Sequence, residues 1–294
     1  MPPAFRALFR HTAPLLGLAL LLAGCAAPPA PVATASPPLP YPPSARDRML
    51  RGVLAEWEDW GRVVVEDSTP APPAAGPGQE SQMTNFPRVL AYWRAVESGR
   101  AAIDRNRTRY ATALSDPGAP GSLWSEPAWS AAFVSYVLRN AGVDEREFPS
   151  SAAHAFYIDG MLADAAAFPA QASFMPHDIG AYAPQPGDLV CADRSRHPLA
   201  DWRQRLAEAG QFRAMHCDIV VAAGPGLVQA VGGNVADAVT LSRFAADAAG
   251  RLVARPAGRP TWFAVFENRL GRLPPFNPAP AVPVAGLRGP RPLT

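Results

Sequence analysis

Apolar residues recur at helical spacing in three places before the pattern of the chain changes. Met49, Val53, Leu54, Trp57 and Trp60 predict a helix over residues 45–62, and Val89, Tyr92, Trp93 and Val96 predict a second over 86–106. A third, AWSAAFVSYVLRNAG over 128–142, opens with Ser130 directly after Trp129 and stops at an Asn-Ala-Gly signal. The aromatic side chains of the first two read as core rather than as a ligand box. Beyond them the period shortens. GDLVCA (187–192), HCDIVVAA (216–223), GLVQAVGG (226–233) and TWFAVFE (261–267) are short, rich in β-branched residues and bounded by turns, so they predict strands joined largely as a meander. Helices first and strands afterwards predict an α+β fold, with N-terminal helices packed on an antiparallel sheet.

The ends carry a different signal. Arg6 and Arg10 precede PLLGLALLLAG, an apolar run too short to span a bilayer as a mature helix and ending at Cys25. Residues 1–24 therefore read as a signal peptide. Leu22-Ala23-Gly24-Cys25 resembles the bacterial lipobox, in which Cys25 is lipidated and becomes the new N-terminus. Ala26 follows rather than Asp, and by resemblance to lipoproteins this favours the outer membrane, facing the periplasm. The anchor would then be lipid alone. Residues 25–44 are so dense in proline that they read as an extended tether. Residues 68–82 read as a surface loop, and 271–294 as a loosely attached proline-rich tail. A single α+β domain is left over 45–270.

Composition narrows the class. Of 294 residues, 48% are hydrophobic and 18% charged, ample for a core. The net charge of +2, carried by arginine without any lysine, is too small to mark a nucleic-acid partner.

The candidate chemistry centres on Ser130. A nucleophile at a helix N-terminus gains from unpaired N–H groups and the positive end of the helix dipole. A serine gains only roughly 1 kcal/mol that way, so it needs a base and an oxyanion hole as well. His216, at the start of a predicted strand, offers a base; it shares a face with Val220, while Cys217 and Ile219 take the other. Asn234, ending the next strand, offers the group that orients the base. The bland alternative is that Ser130 caps its helix or simply fills its first turn. His154, on a predicted helix after SSAA, could line the same site or be an ordinary helix histidine. Asp218 and Trp129 complete the candidates. His177 and His197 read as loop residues at the surface. The histidines are too scattered for a zinc site, and no cofactor is implied.

Four ordered motifs carry a family resemblance over about residues 124–267. WSAAFVSYVLRNAG resembles the WCAAFV-type nucleophile helix of the CHAP and NlpC-type amidohydrolases, PQPGDLV their PGDLV strand, HCDIVV their H-x-G-I-V strand, and GGNVADAV their GGNQ-like segment. The resemblance implies a papain-like core, with Ser130 where the family has cysteine, His216 as base and Asn234 as orienting residue. It implies action on, or binding of, cell-wall peptides or glycan-peptides, either as a Ser-His amidase or as an inactive descendant that binds or scaffolds. It also makes the strands of Cys191 and Cys217 neighbours. In an oxidising compartment that allows a disulfide, although Cys191 also fits as a small buried hydrophobe.

Overall fold

Proline suits the first turn of a helix, where its missing N–H has no helical partner anyway. In the computed structural model, which describes residues 36–67, 78–116 and 122–276, helix α1 spans Pro43–Asp59 and starts in that way. Its apolar face buries Met49, Leu50 and Val53. The segment before it is held in place. Leu39 N–H and the Tyr41 hydroxyl donate to the Glu147 carboxylate at 2.8 and 2.6 Å, so this end of the proline-rich stretch packs against the protein rather than acting as free tether. The signal peptide, Cys25 and the tail beyond Phe276 lie outside the described residues.

The second predicted helix is two helices. α2 covers Phe86–Arg94 and α3 covers Arg100–Ser115. Val96 between them takes an extended backbone, φ −117° and ψ 123°. β-branched residues favour that conformation, and the aromatic stripe of α2 cannot continue through it. Trp93 and Tyr92 are fully buried, as the apolar spacing requires.

Helix α4, Ser130–Asn140, lies against α1, α2 and the sheet. Ser130, Ala131, Ala132, Phe133, Val134 and Ser135 are all buried, and the small residues among them let the neighbours approach closely. Gly142 ends it with φ +83°, and Val143 N–H closes back onto Leu138 O at 3.1 Å, the bonding of a left-handed C-terminal cap. Helix α5 follows at His154–Ala167, and the short α6 at Trp202–Leu206.

The strands are β1 (Val63–Glu66), β2 (Phe174–His177), β3 (Leu189–Asp193), β4 (Met215–Gly224), β5 (Leu227–Val235), β6 (Ala238–Ala245) and β7 (Thr261–Asn268). They form one open sheet in the order β1-β6-β5-β4-β3-β7-β2. The meander holds from β3 to β6. The last strand does not extend it: β7 returns to pair antiparallel with β3. All pairs are antiparallel except β1 with β6. Along β4 the side chains alternate as a strand must. Cys217, Ile219 and Val221 enter the larger core that includes the helices, and Val220 enters a smaller core with Val190, Phe244 and Trp262. The architecture is thus α+β, N-terminal helices on a seven-stranded, mostly antiparallel sheet. Among the described residues no helix is long and apolar enough to cross a membrane.

Candidate functional site

The start of α4 is held from behind. Trp129 precedes the helix, and its indole is fully buried, stacked on Trp60 with ring centroids 5.3 Å apart. Its Nε1–H donates to Glu80 Oε2 at 2.7 Å. Asn234 stands near the end of β5 in the left-handed region, φ +56°, which asparagine tolerates better than most residues. Its neighbours assign its amide: the oxygen accepts from Trp129 N–H and the nitrogen donates to Glu80 Oε2, both at 3.2 Å. Asn234 therefore orients the helix start, not a histidine. Trp129 likewise belongs to the core. Burial pushes the Glu80 carboxyl up to about 7, against the hydrogen bond from Trp129 and with help from the charge of Asp237.

Ser130 is the first residue of α4, and its hydroxyl is not a cap. The residue at the cap position, Trp129, supplies no side-chain acceptor, and the first-turn N–H groups point out of the helix end. Ser130 Oγ instead lies 2.7 Å from His154 Nε2. His154 opens α5, and a serine pair fixes where α5 begins. Ser151 N–H donates to Ser135 Oγ at 3.1 Å, tying the entry of α5 to the middle of α4. His154 Nδ1 is hydrogen-bonded to the Tyr157 hydroxyl one turn along the same helix. Burial, then the neighbouring His216 and Arg194, hold the His154 pKa well below the ordinary histidine value. The imidazole is therefore neutral at pH 7, the state in which Nε2 can accept the serine proton while Nδ1–H donates to Tyr157. Tyr157 keeps its own proton, since burial and the Asp218 carboxylate both raise its pKa.

The expected Ser130–His216–Asn234 arrangement is corrected by this geometry. Alternation along β4 turns Cys217 and Ile219, not His216, toward the core that α4 shares. His216 reaches the site from the side: its ring centroid is 5.2 Å from that of His154, and its Nε2 bonds Asp218 Oδ1 at 2.8 Å. The pair sits over Gly232. A side-chain carbon there would stand 1.7 Å from Asp218 Oδ1, so only glycine leaves room for the carboxylate.

Cys191 and Cys217 are directly opposite on β3 and β4, and their sulfurs are bonded. His177 is no loop residue; it ends β2 and bonds Glu267 at 2.9 Å. His197 is exposed. Among the described residues no group of three or more His, Cys, Asp or Glu could hold a metal ion.

Two site residues escaped the reading of the sequence. Tyr157 lies three residues after His154, a same-face spacing on a helix that could have flagged it. Glu80 lies in the stretch read as surface loop, yet it is 3% exposed; a lone acid among Gly, Gln and Ser gives no periodic signal.

Fold and site together define an α+β protein that presents a helix-start serine to a buried neutral histidine beside an antiparallel sheet. The chain belongs to the DUF2272 family, described as an uncharacterized protein conserved in bacteria, whose family model matches residues 80–268. No curated protein and no solved structure matches the chain. The matched span begins at Glu80 and contains Trp129, Ser130, His154, Tyr157, His216, Asp218 and Asn234, but not Trp60.

Proposed function

We propose that this protein is a cell-envelope lipoprotein, anchored through Cys25 to the outer membrane, whose site cleaves amide bonds in cell-wall peptides with Ser130 as nucleophile. The core is taken to be papain-like, of the CHAP and NlpC type, with the base drawn from α5. The observation that carries this reading is the 2.7 Å contact between Ser130 Oγ and a neutral His154 Nε2. Ser130 Oγ would attack the scissile carbonyl as its proton passes to Nε2. The oxyanion would form against the N–H groups of the first turn of α4, where the helix dipole also favours negative charge. The proton on Nε2 then goes to the leaving amine, and water, deprotonated by the same nitrogen, releases the acyl group and restores the hydroxyl. Tyr157 holds Nδ1 throughout, the part that a carboxylate plays in other Ser-His sites. The His216–Asp218 pair lies alongside, with the His216 ring centroid 5.2 Å from that of His154.

A second reading has its own support. Ser130 is 7% exposed and His154 4% exposed, so a substrate carbonyl has little room to enter. On that reading the site binds a cell-wall peptide or glycan-peptide without cutting it. A digest of purified peptidoglycan separates the two. Release of peptides by the wild type and not by Ser130→Ala supports the amidase. A silent wild type with an active Ser130→Cys, whose thiolate the helix end favours, supports the binder. Labelled palmitate should enter the wild type and not Cys25→Ala; equal labelling removes the lipoprotein part of the proposal.

A further inference from the structure

Between β3 and β4 the chain carries five arginines, and three of them are matched with carboxylates. Arg203 pairs with Asp178 at 2.7 Å, Arg205 with Asp159 at 2.8 Å and Arg213 with Glu208 at 2.6 Å. Arg194 and Arg196 are exposed, and among the described residues neither side chain makes a hydrogen bond or an ion pair.

Of these two, Arg194 stands at the candidate site. It follows Asp193, the last residue of β3, and its N–H donates to Ala214 O at 2.8 Å. That bond continues the ladder in which Asp193 faces Met215 and Ala192 faces His216, so Arg194 lies at the end of the sheet where β4 begins. The His216 ring there is 5.2 Å from that of His154. The Arg194 charge reaches the same imidazole: after burial and His216, it is the third cause that holds the His154 pKa down.

The loop that presents Arg194 is fixed from beneath. Asp193 is buried, and its carboxylate accepts from Ser195 N–H, Leu199 N–H and Arg213 Nη1, each at 2.8 Å. Arg213 Nη1 also donates to Ser195 Oγ at 2.6 Å and to His197 O at 3.0 Å. A ligand meeting Arg194 has a side chain to order but no backbone, which lowers the cost of binding.

We infer that Arg194 is a specificity residue that receives a carboxylate beside the amide presented to Ser130, so that the site prefers acidic peptides. A guanidinium suits this work, because its planar fork binds a carboxylate through paired, charge-assisted bonds. Pairing would also offset a positive charge that opposes protonation of His154, and so favour the imidazolium formed during the proposed cycle. The inference rests on the function proposed above for placing a peptide at Ser130. Since Arg194 is exposed, the preference should be modest, roughly fivefold, and should weaken as salt is added.

The test uses N-acetyl-alanyl-glutamyl-alanine amide and its glutaminyl counterpart, with calorimetry on Ser130→Ala so that nothing is turned over. The glutamyl peptide should bind roughly fivefold tighter, and adding Arg194→Gln should equalise the two without lowering the melting temperature. Arg196→Gln, which removes the same charge two residues away, should keep the preference. The ring signals of His154 and His216 should shift in nuclear magnetic resonance spectra as the glutamyl peptide is added. Equal affinities, no binding of either peptide at millimolar concentration, or unmoved ring signals would overturn the inference. So would a preference that survives Arg194→Gln or is lost equally in Arg196→Gln. Displacement of the peptide by an equal concentration of inorganic phosphate would overturn it too, by reducing the site to one for any anion. A preference that depends on Arg194, with both peptides left uncut by the wild type, removes only the amidase. Equal cutting and equal binding of the two peptides remove only the role of Arg194.

Discussion

Ser130 Oγ and His154 Nε2 stand 2.7 Å apart, joining the first residue of one helix to the first residue of the next. In the proposed mechanism this contact activates the hydroxyl. A fluorophosphonate probe should therefore label Ser130 in the wild type, and labelling should fall at least a hundredfold in His154→Gln. His216→Gln should lose less than tenfold, because His216 does not touch the hydroxyl. Equal losses in the two variants would return the base to His216.

Gly232 controls the neighbouring pair. An added methyl group would fall 1.7 Å from Asp218 Oδ1 and 3.0 Å from His216 Nε2. Gly232→Ala should cost about 1–3 kcal/mol by displacing a buried carboxylate from its partner. In an Asp218→Ala background the same change should cost much less, as measured by urea unfolding of the four proteins. An undiminished cost would mean that some other contact of Gly232 is responsible.

Glu80 makes stability depend on pH. Its carboxyl is pushed up to about 7, whereas an unfolded glutamate titrates near its ordinary value of 4.5. Between those values the folded state binds more protons than the unfolded one, so this group's contribution falls as pH rises from about 4.5 to 7 and is flat above. The ceiling is about 3 kcal/mol. Glu80→Gln, which keeps an acceptor for Trp129, should lose less melting temperature than the wild type between pH 5 and pH 8. His154 works in the opposite sense at lower pH. Its folded pKa is depressed, so stability declines as pH falls below about 6.5, where the unfolded histidine gains its proton.

The Cys191–Cys217 bond closes a sequence separation of 26 residues. Loop-closure arguments give such a crosslink about 3 kcal/mol. The double variant Cys191→Ala/Cys217→Ala should melt roughly 6–12 °C lower than the oxidised protein in a domain of this size. A melting temperature unchanged on reduction would show that the two strands need no crosslink.

The sequence by itself determined the class of fold and the start of the key helix, because both depend on local signals. Helical spacing gave way to β-branched runs where β3, β4, β5 and β7 form, and the Asn-Ala-Gly stop marked the end of α4. Ser130 stood out because only one residue can begin that helix. The break between α2 and α3, the strands β1, β2 and β6, and the return of β7 to β3 were not legible from local patterns. Which histidine meets Ser130 was a tertiary question as well. Motif order favoured His216, but the bond between Ser135 and Ser151 sets the entry of α5 and brings His154 onto the hydroxyl. Asn234 and Glu80 were likewise given their work by the packing of Trp129, whose backbone N–H and indole each required an acceptor once buried. A pattern of apolar residues says which face of a helix is inside; only the assembled core says which polar group must be there to meet it.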